Sequence, residues 1–168
     1  MRHIQELLEA NNEDLPEIYC DMDQVLCNFL KGADKVVGEP FVNADKEKRW
    51  NTISNTKDFW ANLEWMPGAE KLYRRIEKYD PHILSAYSPF DKNCIKGKEL
   101  WIKRNLRLSD FSRIHLVRRA EKKAYSNGNI LIDDFGRNVK EWKSGGGIPN
   151  KHKTAKDTIS ALKKLGFK

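Results

Sequence analysis

Three short apolar runs in this chain each end in a residue that can carry chemistry. Residues 18–20 lead into Asp21-Met22-Asp23, residues 82–84 into Ser85, and residues 129–132 into Asp133-Asp134. Helix-like segments separate the runs, and this alternation is typical of an α/β protein with a mostly parallel sheet and helices on both faces. Ligands bind such sheets beyond the carboxyl ends of the strands. We therefore expect these side chains to converge at one edge of the sheet.

Asp21 and Asp23 lie one residue apart at the end of the first run. Residues i and i+2 of a strand point to the same side, so both carboxylates can be aimed at one point. Two ionised acids repel each other unless a cation, a shared proton or hydrogen bonds compensate, and Mg²⁺ is the natural cation for oxygen ligands. Aspartate is also a nucleophile toward phosphorus, and a neighbouring acid can move protons. The alternative is an Asp-x-Asp turn without chemistry.

The later residues fit a phosphoryl-transfer site, in which catalysis depends on positioning and on charge neutralisation. Ser85 offers a hydroxyl to a phosphate oxygen, and Lys123 offers a positive charge, with Lys122 as its immediate competitor. Asp133 and Asp134 would complete a metal shell that includes Asp21 and the backbone carbonyl of Asp23. Alone, the serine could satisfy backbone groups and the two aspartates could cap a helix. Together, the residues favour a phosphate site with Mg²⁺.

Composition limits the class of protein. At 168 residues, 39% of them apolar and 33% charged, the chain suits one soluble domain with a small insertion. No apolar run reaches the roughly 18 residues of a membrane span, and residues 1–12 lack the apolar centre of a signal peptide, so we expect a cytoplasmic protein. The 3 cysteines are expected to be reduced core residues. The net charge of +7 favours partners that carry phosphate, either a free nucleotide or long nucleic acid.

The remaining pattern predicts further elements. The predicted helices cover residues 3–9, 70–78, 94–105 and 154–165, with another opening within 25–30, and a strand is predicted over 113–117. Residues 38–65 are polar and irregular in period, which indicates a small insertion over the site. Gly145-Gly146-Gly147 lacks the order of a P-loop and is interpreted as a flexible connection before a final strand or helix.

Four ordered segments resemble the motifs of the haloacid dehalogenase superfamily of phosphatases. The segments are Asp21-Met22-Asp23-Gln24-Val25-Leu26, Ile83-Leu84-Ser85, Lys123, and Leu131-Ile132-Asp133-Asp134. A closer similarity, over most of the chain, is to the 5'(3')-deoxyribonucleotidase branch. It is carried by the segment 59–69, by Ser88-Pro89, and by Gly97-Lys98-Glu99-Leu100-Trp101.

This resemblance implies a Rossmann-like catalytic core of residues 1–28 and 66–168 with a small helical cap of residues 29–65. It implies a Mg²⁺-dependent enzyme that hydrolyses nucleoside monophosphates through an aspartyl-phosphate on Asp21, with Asp23 as acid and base. By matching position, Lys98 and either Ser85 or Ser88 would contact phosphate. Phe29 would face the base.

The cap is rich in aromatic residues, and flat rings are suitable surfaces for stacking a nucleobase. These are Phe29, Phe41, Trp50, Phe59, Trp60 and Trp65. The alternative is that they form the core of the cap. We expect most of them to pack and Phe29 or Trp60 to face the base.

The chain departs from the family pattern at Gln24, where the first motif usually has glycine. Glycine permits backbone angles that glutamine adopts less readily. The sequence therefore predicts that the turn is rebuilt or that Gln24 contacts the cap. A polynucleotide 3'-phosphatase and a non-catalytic nucleotide-binding protein remain as alternatives to a nucleotidase, and the oligomeric state stays open.

Overall fold

A computed structural model describes residues 15–168 of the chain. The strands are β1 (Ile18–Cys20), β2 (His82–Ala86), β3 (Ile114–Val117), β4 (Ile130–Asp133) and β5 (Ile148–Lys151). They form a 5-stranded sheet in the order β3-β2-β1-β4-β5, and every pairing is parallel. The helix predicted over residues 3–9 lies outside the described residues.

Six α-helices connect or follow these strands within the described range. They are α1 (Phe29–Val37), α2 (Lys46–Ser54), α3 (Ala69–Ile76), α4 (Cys94–Asn105), α5 (Gly136–Ser144) and α6 (Ala155–Lys164). A 3₁₀ segment, Arg119–Tyr125, joins β3 to β4. No helix within residues 15–168 has both the length and the apolar character needed to cross a bilayer.

Successive side chains of a strand point to opposite faces of the sheet, so the central strands contribute to two separate apolar layers. Ile18 and Cys20 of β1 point into the larger core, which α3, α4 and α6 cover. Tyr19, between them, points to the opposite face and packs with Trp142 of α5. Both faces of β1 are therefore buried, which is the environment of a central strand in a parallel sheet.

The order of the strands determines where in the sheet a ligand can bind. The chain runs outward from β1 through β2 to β3, and then crosses back to place β4 on the other side of β1. This reversal creates a crevice beside the carboxyl end of β1, which is where open α/β sheets bind ligands. The backbone N–H of Asp21 still donates to Ile132 of β4, at 2.9 Å, so the ends of the two strands are held together.

We call residues 29–65 the cap, and this segment contains α1 and α2. The two chain connections between the cap and the rest of the protein lie side by side. Asn28 N–H donates to the carbonyl of Glu64 at 2.8 Å, and Met66 N–H donates to that of Leu26 at 2.7 Å. The two connections are thus hydrogen-bonded to each other. The division at residues 28/29 and 65/66 remains our proposal.

The predicted fold class is confirmed. A fifth strand, β5, follows the Gly145–Gly147 connection, for which the sequence left a strand or a helix open. Its Pro149 obscures the pattern of a strand, but β5 lies at an edge of the sheet, where the missing N–H of proline is tolerated. The 3 cysteines are free and buried, as predicted.

Candidate active site

Three carboxylates meet at the carboxyl ends of β1 and β4. Asp21, Asp133 and Asp134 each place one oxygen within 4.8 Å of the others. Asp21 is buried and accepts from the backbone N–H of Met22 at 2.8 Å. Asp133 is fully buried and accepts from Phe135 N–H at 2.9 Å, which fixes its orientation. The convergence expected from strand ends is therefore present.

Lys122, rather than Lys123, carries its charge to these carboxylates. Its Nζ lies 2.8 Å from Asp133 Oδ2 and 3.1 Å from Asp21 Oδ1. Lys122 is buried, whereas Lys123 is exposed. The expectation for Lys123 is corrected on this point, because the 3₁₀ segment turns the preceding lysine toward the sheet and its neighbour toward solvent. Sequence spacing could not separate two adjacent lysines.

A second buried ammonium faces the other acid of the first motif. Lys98 Nζ donates to Asp23 Oδ2 at 2.8 Å, to Ser85 Oγ at 2.7 Å and to the carbonyl of Ala86 at 2.8 Å. The remaining oxygen of Asp23, Oδ1, is buried and has no hydrogen-bond partner among residues 15–168. The structure thus brings Lys98 and Ser85 to the same edge as Asp21.

Ser88, the alternative to Ser85, occupies a different environment. Its hydroxyl accepts from the backbone N–H of Phe90 at 3.2 Å, and its own N–H lies 3.3 Å from the sulfur of Cys94. Ser88 shapes the loop after β2, while Ser85 lies in the strand and contacts Lys98.

Burial and mutual repulsion oppose ionisation of the acids. Burial, followed by the charge of Asp21, raises the pKa of Asp134 to about 7 and raises that of Asp133. Burial also raises the pKa of Asp23, although Lys98 partly offsets it. Burial, the largest single influence, would lower the pKa of Lys98, but the charges of Asp23, Cys94 and Asp21 and the hydrogen bond to Asp23 together raise it above its ordinary value. Cations are therefore needed to keep the acids ionised together.

The residues present fit a Mg²⁺ ion. The donors are carboxylate oxygens of Asp21, Asp133 and Asp134, a ligand type that hard divalent cations prefer. A supporting residue that the sequence analysis missed is Asn138, whose side-chain amide donates to Asp133 Oδ2 at 3.0 Å. Asn138 lies in the first turn of α5, five residues after Asp133, and helical spacing in that segment is the only pattern that indicates it.

Gln24 occupies the turn of the first motif with a positive φ of 61°. Glutamine thus adopts the left-handed conformation that glycine would adopt more easily. Its side-chain Oε1 accepts from Leu30 N–H at 2.9 Å, in the first turn of α1. This contact with the cap is one of the two outcomes that the sequence predicted.

The cap aromatics pack on one another. Phe29 and Trp60 stack with ring centroids 5.3 Å apart and planes 17° apart, and Phe59 packs edge-on against both. Trp60 is only 3% exposed, and its indole N–H donates to Asp91 at 2.7 Å. Its ring is thus not free to take a base, contrary to the expectation for Trp60. Phe29 is only half-buried, and Trp50 packs near the exposed Phe90.

We compared the chain with known proteins. No protein-family model matches the chain. A curated relative from Vibrio phage KVP40, named "Putative 5'(3')-deoxyribonucleotidase", is 28% identical over 137 residues, which cover 80% of this chain and 75% of the relative.

Solved structures resemble the fold at low sequence identity. A hydrolase from Streptococcus pneumoniae TIGR4 matches 89% of this chain and 98% of its own, with a TM-score of 0.55 and 9% identity. L-2-haloacid dehalogenase from Xanthobacter autotrophicus matches 90% of this chain and 83% of its own, with a TM-score of 0.56 and 11% identity. The resemblance stated from the sequence motifs is confirmed, and the chain has the haloacid dehalogenase fold.

Proposed function

We propose that the protein is a Mg²⁺-dependent phosphatase that hydrolyses nucleoside monophosphates, as a 5'(3')-deoxyribonucleotidase. The observation that carries this proposal is the convergence of Asp21, Asp133 and Asp134 beside two buried ammonium groups. Such a site combines a nucleophile, a place for a divalent cation and charges that match a phosphate. The name of the phage relative supports the nucleotide as substrate.

The proposed reaction uses the first-motif acids in two steps. Asp21 attacks phosphorus, the bond to the leaving oxygen breaks, and Asp23 gives its proton to that oxygen. Asp23 then takes a proton from the water that hydrolyses the aspartyl-phosphate, which regenerates Asp21. The raised pKa of Asp23 and its unpartnered Oδ1 suit an acid that must first hold a proton.

The remaining residues bind and orient the phosphate. Ser85 offers a hydroxyl, and Lys98 and Lys122 offer positive charge at the oxygens. Mg²⁺, held by Asp21, Asp133 or Asp134 and the carbonyl of Asp23, would neutralise charge on the phosphate when bound.

The decisive experiment is a panel of 5'- and 3'-mononucleotides together with a generic aryl phosphate, with phosphate release measured with Mg²⁺, with Ca²⁺ and in chelator. We expect hydrolysis of nucleotides and aryl phosphate with Mg²⁺, little with Ca²⁺, and none in chelator. Asp21→Asn should lose at least about 10³-fold in kcat while keeping its circular dichroism spectrum. Release by Asp21→Asn near the wild-type rate, or full activity in chelator, would rule out the mechanism.

A polynucleotide 3'-phosphatase is the second candidate, because exposed basic residues lie at the same edge of the sheet. Arg118 directly follows β3, and Lys151 ends β5 beside Asp133. Both are exposed, and the chain has a net charge of +7. Faster turnover of 3'-phosphorylated oligonucleotides than of mononucleotides, with a steep dependence on salt, would favour this candidate.

A further inference from the structure

The side chain of Lys98 is more buried, and makes more hydrogen bonds, than a lysine on the exposed face of a helix. It is 1% exposed, and its ammonium donates three hydrogen bonds, to Asp23, Ser85 and the carbonyl of Ala86. An ammonium has three N–H donors, so none remains for water. Its position in the proposed reaction is therefore set by the protein, and a long flexible side chain needs packing on its open side to stay there.

Trp60 of the cap supplies that packing. The Lys98 ammonium lies 5.3 Å from the centroid of the Trp60 ring. Gly97, directly before Lys98 on α4, permits the close approach, because a Cβ at Gly97 would lie 2.5 Å from the Cβ of Trp60. The indole therefore rests on the helix backbone and covers Lys98 from the side of the cap.

Asp91 fixes the indole from the core. Its Oδ2 accepts from Trp60 Nε1 at 2.7 Å, and its Oδ1 accepts from the Ser54 hydroxyl at 3.2 Å and from Asn93 N–H at 2.9 Å. Asp91 is 4% exposed and forms no salt bridge with a cation of residues 15–168. A buried carboxylate is costly unless hydrogen bonds satisfy it, and two of its three donors belong to the cap.

We propose that Trp60 and Asp91 are positioning residues for Lys98, and that they form a clasp through which the cap holds this ammonium at Asp23 and Ser85. The proposal rests on the proposed phosphatase function. A cavity of about 440 Å³ is lined in part by Trp60, Asp91 and Gly97. When the clasp opens, water from this cavity reaches Lys98 and competes for its hydrogen bonds. Turnover then depends on the placement of the cap even for a substrate too small to touch it.

The kinetic test uses Trp60→Phe, which removes the indole donor, and Asp91→Leu, which removes the acceptor. Each should lower kcat for an aryl phosphate by about 10- to 100-fold with KM nearly unchanged, the loss expected for a small misplacement of a reacting group. The same changes in a Lys98→Met background should lower kcat no further. Equal fold-losses in both backgrounds would show that the clasp does not act through Lys98, and would overturn the proposal.

The matched control is Trp101→Phe. Trp101 is also fully buried on α4, and its indole donates to the carbonyl of Leu63 in the cap at 2.8 Å, but it makes no contact of this kind with Lys98. The Trp101→Phe variant should lower the thermal midpoint of unfolding as Trp60→Phe does, and its kcat should stay within about 2-fold of the wild-type value. An equal loss of kcat in Trp101→Phe would mean that any weakened cap contact slows the enzyme, which contradicts a specific clasp.

A second measurement does not depend on turnover. Amine acetylation of the folded protein, followed by peptide mass spectrometry, should label exposed Lys96 and Lys103 equally in all variants. Lys98 should stay unlabelled in the wild type and in Trp101→Phe and become labelled in Trp60→Phe and Asp91→Leu. Lys98 that stays protected in both clasp variants would overturn the proposal. A wild type that hydrolyses no phosphate monoester would reject the proposed function alone, since the labelling would still decide whether the clasp exists.

Discussion

At the level of single residues, the site is a balance between carboxylates and buried ammonium groups. Lys122 pairs with Asp21 and Asp133, and a second ammonium pairs with Asp23. Asp134 has no salt bridge within residues 15–168. One partly buried carboxylate therefore lacks a protein cation, and a divalent ion at the acidic cluster would supply the missing charge. Removing one member of a buried pair leaves a charge without compensation, which is strongly unfavourable.

Two adjacent lysines, Lys122 and Lys123, are expected to differ in their effect on turnover. Lys122→Met should lower kcat by about 10²-fold or more, because it removes the positive charge that pairs with Asp21 and Asp133 and that we propose to bind the phosphate oxygens. Lys123→Met, which replaces an exposed side chain, should change kcat by less than about 2-fold. Steady-state kinetics on an aryl phosphate with saturating Mg²⁺ would compare the pair, and circular dichroism would verify that both variants fold. Comparable losses in the two variants would contradict the assignment of Lys122.

Gln24 offers a second prediction for a single residue. Its left-handed backbone costs roughly 1 kcal/mol relative to glycine, while its side chain satisfies a backbone donor in the first turn of α1, a contact of similar worth. Gln24→Gly should therefore leave the free energy of unfolding within about 0.5 kcal/mol, whereas Gln24→Ala should lower it by roughly 1 kcal/mol because it keeps the strain and loses the bond. Denaturant unfolding would measure both. Equal effects of the two substitutions would show that the left-handed backbone carries no strain, and an unchanged free energy of unfolding in Gln24→Ala would show that the side-chain contact contributes nothing.

At the level of elements, the cap, which includes α1 and α2, contains a cluster of aromatic rings. Phe29 lies at its centre, with the rings of Phe41, Trp50, Phe59 and Trp60 within 6.3 Å of its own. A small cap needs such a cluster as its own core, since few other apolar side chains are available to it. Phe29 begins α1 directly after the connection from the first motif, so it is the member nearest to Asp23 in sequence. It remains our candidate for contact with the base.

The base-facing role of Phe29 can be tested with two substrates. Phe29→Leu keeps an apolar side chain in the cluster but removes the ring, so it should raise KM for nucleotides by an amount consistent with roughly 1 to 3 kcal/mol of lost stacking. An aryl phosphate too short to reach the cap should keep its KM. Trp60→Leu serves as the comparison, since it should impair both substrates through Lys98. Parallel losses on nucleotide and aryl phosphate in Phe29→Leu would indicate packing alone.

At the level of the whole molecule, the parallel sheet and the meeting of its strand ends could be predicted from sequence, because strand ends in such a sheet share one edge. The choice between Lys122 and Lys123 could not, since it depends on how a 3₁₀ segment turns. The burial of Trp60 was equally hidden, because it depends on Gly97 and Asp91, which lie more than 30 residues away. Contacts between distant segments leave no local pattern, and they decide which of several plausible side chains reaches the site.

The face of the sheet opposite the larger core contains a titratable pair that links stability to pH. His82 and His115 lie with ring nitrogens 2.9 Å apart, and Tyr19 stacks on His82. Burial, and then the charge of His82, lowers the pKa of His115 below 6.5. The folded protein therefore disfavours the proton that the unfolded chain binds readily.

The sign of the pH dependence follows from that shift. The contribution of neutral His115 to stability is complete above about pH 6.5 and is lost as the pH falls through its lower folded pKa. The difference in unfolding free energy between the wild type and His115→Gln should thus be largest above pH 7 and shrink toward acid, by at most about 1.4 kcal/mol per pH unit. Using the difference cancels the titration of His152, whose pKa burial also lowers. Urea unfolding at intervals from pH 5 to pH 8 would measure it, and a difference that stays constant or grows on acidification would show that His115 is not kept neutral by the fold.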